Sequence, residues 1–318
     1  MSTVLLEELL QMIYDVIIVG AGPAGLTAGI YASRGGLKTA IVELAMPGGQ
    51  AASTDKIENY PGFPEGVNGY ELMNAFHQQA LSFGVEFVYE EVKGLDLKET
   101  VKKIHTDSSV LEAKALIIAA GSKPRLLNVP GEEFFKGRGV SYCATCDGAF
   151  FRGKKVVVVG GGDSAIEEGL YLTKFAEEVI LIHRREGFRA SQIIVDRAKE
   201  NSKIRFELNY VVEEILGSDH VEGVRVRNAL DSTRKEIKAD GVFIYVGTSP
   251  NVQFIDSEIK TDERGYIYTN QFLQTNIEGV YAAGDIRTTP LRQVSTAVGD
   301  GALAAVEVEK YLAEQHHK

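Results

Sequence analysis

The pattern of apolar and polar segments along the chain repeats one plan twice. An unbroken apolar run at Tyr14–Gly20, YDVIIVG, leads directly into the glycine turn GAGPAG at Gly20–Gly25. A second run at Lys154–Gly160, KKVVVVG, leads into GGGDSA at Gly160–Ala165. Runs of this length that are rich in Val and Ile are typical of strands buried on both faces of a parallel sheet. Each copy is therefore predicted to begin with a buried strand and a tight turn.

A helix and a second apolar strand are predicted after each turn. The helices are expected over Pro23–Arg34 in the first copy and over Ser164–Phe175 in the second. The following strands are expected at Thr39–Glu43 and at Val179–His183. Both halves of the chain thus start with a βαβ unit.

The two copies also end alike. Ala115–Arg125 reads ALIIAAGSKPR, and Gly241–Asn251 reads GVFIYVGTSPN. Short alternating strands, such as Glu86–Val88 and Val224–Arg227, are predicted between the βαβ unit and this closing strand. The GSKP and GTSP segments are expected to be paired crossings between two domains.

A tail follows the second copy. It contains GVYAAGDI at Gly279–Ile286 and a helical pattern from about Thr296 to Leu312. The economical arrangement is a discontinuous first domain, residues 1–122 and 251–318, with residues 123–250 inserted as a second domain. An α/β fold built from two similar domains is therefore predicted.

Composition and charge exclude several classes of function. The chain has 318 residues, of which 44% are hydrophobic and 25% charged, as in folded globular proteins of more than one domain. Its 34 basic and 44 acidic residues give a net charge of −10. With no basic excess to neutralise phosphates, nucleic acid is not an expected partner. No apolar run in the sequence is long enough to span a bilayer, so no membrane association is expected.

The segment up to Ile13 is rich in apolar residues, but Glu7 and Glu8 interrupt it. It has neither a basic start nor a small-residue cleavage site. We therefore expect an amphipathic extension rather than a secretory signal peptide, and a cytoplasmic protein.

The first glycine turn has the spacing of a dinucleotide site. Gly20, Gly22 and Gly25 form G-x-G-x-x-G between a strand and a helix. The first glycine makes the tight turn, the second admits a pyrophosphate, and the third lets the helix pack on the strand. Glu43 stands 23 residues after Gly20, at the end of the second strand, where a carboxylate can bind a ribose hydroxyl.

The second turn repeats this spacing with a different residue at the ribose position. Gly160, Gly162 and Ala165 form the turn, and alanine is a tolerated small residue at the third place. His183 stands 23 residues after Gly160, where the first copy has Glu43.

A cationic cluster of Arg184, Arg185 and Arg189 follows His183. Guanidinium groups form bidentate hydrogen bonds to phosphate oxygens, so the cluster favours the 2′-phosphate of NADPH over NADH. The alternative is a solvated charge run at a strand end. Since two identical sites would be redundant, we expect FAD in the first turn and NADPH in the second.

The only cysteines are Cys143 and Cys146, followed by Asp147 and Gly148. Such a pair can cycle between dithiol and disulfide, and Asp147 is the nearest group that could move the proton. The alternatives are half of a zinc site, an inert buried pair, and a turn-forming Asp-Gly. No histidine spacing completes a zinc site, so no metal is expected.

Five segments resemble the bacterial-type, low-molecular-weight thioredoxin reductases: GAGPAG, CATCDG, GGGDSA, HRREGFRA and GVYAAGDI. The resemblance covers the chain from about Met12 onward. It implies two Rossmann-like dinucleotide-binding domains of the three-layer ββα type, with the NADPH domain inserted into a discontinuous FAD domain. In HRREGFRA, Glu186 stands where many relatives have Asp.

The resemblance also implies a function and roles for individual residues. The chain is expected to be a homodimer that passes two electrons from NADPH through FAD to the disulfide of thioredoxin. Cys146 is implied as the sulfur that faces the flavin, Cys143 as the thiol that attacks thioredoxin, and Asp147 as the acid. Rotation of one domain against the other at the two crossings is implied as well.

The turns and the resemblance together predict two sets of binding residues. The predicted FAD-binding residues are Gly20, Gly22, Pro23, Ala24, Gly25, Glu43, Gly49, Gln50, Asn59, Ala120, Gly121, Gly284, Asp285, Arg292, Gln293 and Val294. The predicted NADPH-binding residues are Gly160, Gly162, Asp163, Ser164, Ala165, His183, Arg184, Arg185 and Arg189.

Three other functions compete with this interpretation. The first is a flavoprotein of the same shape that reduces a peroxidase or a glutaredoxin-like protein. The second is an electron-transfer flavoprotein that takes electrons from ferredoxin. The third is a binding module that senses redox state without catalysis.

Overall fold

The computed structural model describes residues 13–54, 56–255 and 258–315. The chain divides into two compact units, one of Met1–Lys123 with Ser249–Lys318 and one of Pro124–Thr248. The chain passes between the units at two short strands that pair with each other, β7 (Ser122–Pro124) and β16 (Thr248–Pro250). The predicted N-terminal extension, apart from Ile13, lies outside the described residues.

The first unit contains a seven-stranded sheet. Its strands are β1 (Tyr14–Val19), β2 (Thr39–Val42), β3 (Glu86–Val88), β4 (Val92–Asp96), β5 (Lys102–Thr106), β6 (Val110–Ile118) and β17 (Val280–Ala282). The order β3-β2-β1-β6-β17 is parallel throughout. The first residues of β6 instead pair antiparallel with β5, which pairs antiparallel with β4.

Both faces of this sheet are covered, which gives three layers. The helices of the unit are α1 (Pro23–Arg34), α2 (Gly69–Ser82) and α6 (Val294–Gln315). Leu26 of α1 and Val308 of α6 are fully buried against one face. On the other face, Ile104 of β5 packs with Ile17 of β1, so the antiparallel strands form the opposite layer. Strands buried on both faces explain the unbroken apolar runs.

The second unit repeats this plan. Its parallel sheet has the order β11-β10-β9-β15-β8. Its elements are β8 (Val140–Ser141), α3 (Ala144–Asp147), β9 (Lys155–Gly160), α4 (Asp163–Leu172), β10 (Glu178–His183), α5 (Gln192–Glu200), β11 (Ile204–Leu208) and β15 (Gly241–Tyr245). A separate antiparallel sheet is formed by β12 (Tyr210–Gly217), β13 (Val221–Asn228) and β14 (Arg234–Lys238).

Alternate residues of β9 enter two different cores. Val157 packs with Val224 and Val226 of the antiparallel sheet. Val158 faces the other way and packs with Ile166 of α4. The predicted α/β fold of two similar three-layer domains is confirmed by this arrangement.

The predicted element boundaries differ from the observed ones by a few residues. The helix expected to continue to Phe175 ends at Leu172, because the next residues form tighter turns in which Thr173 and Phe175 bond to carbonyls three residues back. The last helix is longer than predicted, Val294–Gln315, since its ends lack the apolar pattern that marks a helix in sequence.

Candidate functional site

The first glycine turn is shaped by close backbone contacts. Gly20 has a φ of +103°, and a Cβ at Gly25 would lie 1.8 Å from the carbonyl oxygen of Gly20. Helix α1 therefore packs directly on the end of β1. A Cβ at Gly22 would have no heavy atom of the described chain within 4 Å. Open space thus lies above the second glycine, at the start of α1, where backbone N–H groups can bind a pyrophosphate.

Glu43 lies against this turn, as its place at the end of the second strand predicted. Its Oε2 accepts a hydrogen bond of 2.7 Å from the backbone N–H of Ala21, and its Oε1 accepts one of 3.1 Å from Ala45. The carboxylate is held in a fixed orientation beside the turn. Each carboxylate oxygen can accept more than one hydrogen bond, so the group can also accept from ribose hydroxyls.

Two further predicted FAD-binding glycines lie close to the turn. A Cβ at Gly49 would lie 3.3 Å from the Cα of Gly22. A Cβ at Gly284 would lie 3.0 Å from the Cβ of Ala24. These contacts gather the GAGPAG turn, the short helix Gly49–Ser53 and the GVYAAGDI segment at one place.

That place is the carboxyl edge of the parallel strands. Glu43 follows β2, Ala120 and Gly121 follow β6, and the segment with Asp285 follows β17. Ligands of open α/β sheets bind at this edge. These members of the first predicted set therefore lie at the edge of the sheet where ligands are expected.

Other members of the set are connected by side-chain hydrogen bonds. Gln50 donates from Nε2 to the carbonyl oxygen of Ser122, and Asn59 donates from Nδ2 to Oε1 of Gln293 at 3.0 Å. Val294 begins α6 and packs against the small buried cluster beside α2.

Asp285 and Arg292 add two further charged groups to this site. Burial raises the pKa of the Asp285 carboxyl, the positive charge of Arg292 opposes this rise, and Asp300 adds to it. The Arg292 guanidinium lies 4.1 Å from the centre of the Tyr266 ring. Its Nε is buried and has no hydrogen-bond partner within the described residues. A buried donor without a partner and the open space above Gly22 fit a polar ligand such as FAD.

The turn that carries Asp285 is held by an ion pair that was not predicted. Arg287 donates to both oxygens of Asp300, from Nε at 2.6 Å and from Nη2 at 2.7 Å. The same carboxylate accepts from the backbone N–H of Gly284 at 2.9 Å. The side chains of Arg287 and Asp300 are only 17% and 14% exposed.

The second glycine turn is also shaped by close backbone contacts. A Cβ at Gly160 would lie 2.4 Å from the carbonyl oxygen of Tyr245, so β9 and β15 approach closely. A Cβ at Gly162 would meet nothing within 4 Å in the described part of the chain. Gly162 precedes α4, whose first turn has no side-chain cap. The predicted cradle for a pyrophosphate is thus open here too.

His183 lies beneath this turn. It is 7% exposed, and a Cβ at Gly161 would come within 2.3 Å of its ring. The ring stacks on Phe188, with 5.4 Å between the ring centres. Burial lowers the pKa of His183, and the positive charges of the nearby arginines lower it further. The imidazole is therefore neutral at pH 7, and the positive charge of this segment comes from its arginines.

The three predicted arginines, Arg184, Arg185 and Arg189, are exposed. None of them forms an ion pair with an acidic side chain in the residues that the structure describes. Cations on a solvated loop beside an open cradle can bind a ribose phosphate.

Two hydrogen bonds attach the arginine loop to the turn. The backbone N–H of Arg189 donates to the carbonyl oxygen of Gly161 at 2.7 Å. Asp163 Oδ1 accepts from the backbone N–H of Ser191 at 2.8 Å, while Ser164 is exposed at the start of α4. Of the predicted NADPH set, Asp163 therefore has a structural partner that fixes the loop.

Cys143 and Cys146 form a disulfide. Cys143 is partly buried and precedes α3, whereas Cys146 is exposed in its last turn. The Sγ of Cys143 accepts a hydrogen bond of 3.2 Å from the backbone N–H of Cys146 and lies 3.3 Å from Thr145 Oγ1. Such donors would stabilise a thiolate on Cys143 once the disulfide is reduced.

Two hydroxyl groups that were not predicted hold this segment. Ser141 donates from Oγ to Oδ2 of Asp147 at 2.6 Å. Tyr245 accepts from the backbone N–H of Ala144 at 2.8 Å, and burial raises the pKa of its phenol far above the usual value. Ser141 stands two residues before the first cysteine, which is the only signal in the sequence, and Tyr245 is 101 residues from Ala144.

The described residues contain neither a cluster suited to a metal ion nor a helix suited to a bilayer. Within residues 13–54, 56–255 and 258–315, no cluster of three or more His, Cys, Asp or Glu side chains is placed to hold a metal ion. In the same ranges, no helix combines the length and the apolar character that a bilayer crossing requires.

The fold and the site define a nucleotide-dependent disulfide oxidoreductase, and comparison with known proteins supports this class. Residues 14–301 match the family described as "Pyridine nucleotide-disulphide oxidoreductase". The predicted class of enzyme is thereby confirmed.

Comparison with individual proteins identifies the family within this class of enzyme. The thioredoxin reductase of Bacillus subtilis is 48% identical over 305 residues, which is 96% of either chain. The crystal structure of the Lactococcus lactis thioredoxin reductase has a TM-score of 0.93 and 45% identity, and the match covers 95% of this chain and 99% of that one. That of T. acidophilum has a TM-score of 0.90 and 37% identity, over 94% and 99%. The chain belongs to the thioredoxin reductase family.

Proposed function

We propose that the chain is a thioredoxin-disulfide reductase that moves two electrons from NADPH, through bound FAD, to the Cys143–Cys146 disulfide and on to thioredoxin. One observation carries the proposal: the disulfide and its neighbouring carboxyl lie in the same unit as an open nucleotide cradle flanked by three exposed arginines. That combination provides an electron source and an electron exit in one unit.

At the NADPH end, the residues of the second unit bind the nucleotide and orient it. The N–H groups of the second glycine turn hold the pyrophosphate, and Arg184 and Arg185 hold the 2′-phosphate. His183 fills the space beneath Gly161, and the hydrogen bond from Arg189 to Gly161 keeps the arginine loop against the turn.

At the FAD end, the first glycine turn would hold the pyrophosphate. Glu43 would bind the ribose of the adenosine part, and Asp285 would bind the polar chain that leads to the flavin ring. Bound FAD supplies a two-electron carrier between the nicotinamide and the disulfide. Asn59 and Gln293, which are joined by a hydrogen bond, and Arg292 line the flavin part.

At the exit, the reduced cysteine pair exchanges with the thioredoxin disulfide. The Cys143 thiolate attacks one sulfur of that disulfide, so a new S–S bond forms, the S–S bond of thioredoxin breaks, and its leaving thiolate takes a proton from Asp147. The Cys146 thiolate then attacks Cys143 Sγ. This reforms the Cys143–Cys146 disulfide and releases the second thioredoxin thiolate, which takes its proton from water. Two electrons have then passed to thioredoxin, and Asp147 regains its proton from water.

Two properties of the protein as a whole belong to the same proposal. The family resemblance supports a homodimer. A cytoplasmic location is supported by the cysteines, because they form one C-x-x-C pair and not a framework of disulfides. Light scattering of the purified FAD-loaded protein at twice the mass of the 34.7 kDa chain would support the dimer.

The proposal is tested by the partner that the NADPH-reduced protein reduces. Oxidised thioredoxin, a peroxidase partner and a glutaredoxin are offered in parallel assays of NADPH consumption. We expect thioredoxin to be turned over fastest, and Cys143→Ser and Cys146→Ser each to abolish its reduction while FAD stays bound. Faster turnover of either of the other partners would refute the proposed substrate.

A further inference from the structure

We propose that Ser141 is a positioning residue for thiol–disulfide exchange, which it serves by holding the Asp147 carboxyl beside the peptide of Cys143. This inference rests on the proposed function, since it assigns a second residue to the proton transfer in which Asp147 takes part. The hydrogen bonds that support it all lie inside the second unit.

The Ser141 hydroxyl has one proton and two possible acceptors. Its Oγ is 2.6 Å from Oδ2 of Asp147 and 3.2 Å from the carbonyl oxygen of Cys143. The carboxylate is the charged acceptor and is at the distance typical of O–H···O⁻ bonds, so the proton points to Asp147.

The same oxygen is also an acceptor. The backbone N–H of Cys143 donates to Ser141 Oγ at 3.1 Å. A hydroxyl can donate once and accept at the same time, so Ser141 bridges the peptide of the attacking cysteine and the carboxyl of the acid. Asp147 also donates from its backbone N–H to the carbonyl oxygen of Cys143 at 3.2 Å. The acid is thus tied to Cys143 at both its backbone and its side chain.

Ser141 is a suitable anchor because its own position is fixed. It is 5% exposed and ends β8, where it pairs with Phe243 of β15, a fully buried residue. Asp147, in contrast, is the last residue of a helix of only four residues. Without the hydroxyl, the carboxyl of such a short helix can rotate toward solvent, away from the sulfur that must receive a proton.

The bond also selects one carboxyl oxygen. Oδ2 is the oxygen that Ser141 holds. The hydrogen bond at Oδ2 limits rotation of the carboxyl group, so Ser141 determines where its oxygens lie relative to Cys143.

The test is a double-mutant cycle with Ser141→Ala, Asp147→Asn and the combined variant, all as FAD-loaded enzymes. The steady-state rate with thioredoxin is measured together with the rate of flavin reduction by NADPH. We expect Ser141→Ala to lower kcat with thioredoxin about tenfold, the loss expected of a hydrogen bond to a charged group, and to leave flavin reduction unchanged. In the Asp147→Asn background, the same substitution is expected to change kcat by less than about twofold.

Two further variants separate positioning from a general loss of structure. Ser141→Thr keeps the hydroxyl and is expected to retain most of the activity. Ser218→Ala is the matched control, because Ser218 donates to Glu222 at 2.8 Å on an exposed hairpin of the same unit, and it is expected to have no effect.

Each outcome decides the matter. An equal loss from Ser141→Ala with and without Asp147 would overturn the inference, since the hydroxyl would then act through the backbone alone. An inactive Ser141→Thr with full flavin content would overturn it as well. Absence of thioredoxin reduction by the unmodified protein would refute the proposed function itself.

Discussion

Removal of Asp300 is expected to loosen the FAD site without touching a residue predicted to bind FAD. Asp300 holds Arg287 through two hydrogen bonds and accepts a third from the backbone of Gly284. Asp300→Ala leaves the Arg287 guanidinium, whose side chain is 17% exposed, without its counter-ion. Breaking a buried pair from one side costs about 3–5 kcal/mol, and we take the lower end, about 3 kcal/mol, because both side chains retain some contact with water.

That loss is large enough for a simple thermal assay. For a unit of this size, each kcal/mol lowers the melting temperature by about 2–4 °C, so Asp300→Ala is expected to lower it by about 6–12 °C. The release of bound FAD on heating reports the melting of this unit, because free FAD is more fluorescent. The chain contains no Trp that would interfere.

A double variant distinguishes an ion pair from two independent contacts. Arg287→Met alone also leaves one charge unpaired, whereas Arg287→Met with Asp300→Ala removes both charges. The double variant is expected to melt above either single variant. If its melting temperature is instead lowered by the sum of the two single effects, the two side chains are not coupled and the reasoning is wrong.

The other predictions concern the turns and the residues that support them. Gly25→Ala is expected to prevent folding of the first unit, because its Cβ would lie 1.8 Å from a carbonyl oxygen. Gly22→Ala should fold but bind FAD more weakly, as measured by flavin titration. FAD binding by Gly22→Ala as tight as that of the unmodified protein would contradict the proposal that the pyrophosphate lies above Gly22. The double variant Arg184→Ala, Arg185→Ala is expected to lower the ratio of NADPH to NADH activity at least tenfold, since each hydrogen bond to a phosphate contributes about 1.5–3 kcal/mol. An unchanged ratio would mean that these arginines are solvated and do not bind the 2′-phosphate. Burial lowers the pKa of His183 in the folded chain, so its contribution to the free energy of unfolding is fully present above its ordinary pKa of 6.5 and is lost as the pH falls below that value. His183→Asn should weaken this pH dependence in melting curves recorded at several pH values. An unchanged pH dependence would exclude His183 as its source. Tyr245→Phe leaves the buried N–H of Ala144 without its acceptor, so the free energy of unfolding measured in urea is expected to fall by about 1–3 kcal/mol. An unchanged free energy of unfolding would mean that water replaces the phenol as the acceptor.

The βαβ units and the two turns could be predicted because their physical causes are local. A strand buried on both faces must be apolar along its whole length, as Val157 and Val158 show by entering opposite cores. A turn that brings a helix onto a strand requires glycine where a Cβ would collide, as at Gly25. Glu43 followed from the same plan, since the strand that ends beside the turn must place its next side chain there.

The supporting residues could not be predicted, because their contacts join distant parts of the chain. Asp300 lies in the second turn of an ordinary amphipathic helix, and only the fold brings it to Gly284. Tyr245 is the last residue of an apolar strand whose burial pattern requires no phenol. His183 was expected in a cationic cluster, but its burial could be seen only once Gly161 lay above it. The two sets of binding residues stay predictions for binding experiments to test.

The most direct test of the electron route is an anaerobic titration of the FAD-loaded protein, followed by its flavin absorbance. Stepwise addition of NADPH is expected to bleach the flavin band, and oxidised thioredoxin is then expected to restore it. In Cys143→Ser the band should bleach as before, but thioredoxin should no longer restore it. Recovery of the band in Cys143→Ser at the wild-type rate would contradict the central claim that electrons leave through the Cys143–Cys146 pair.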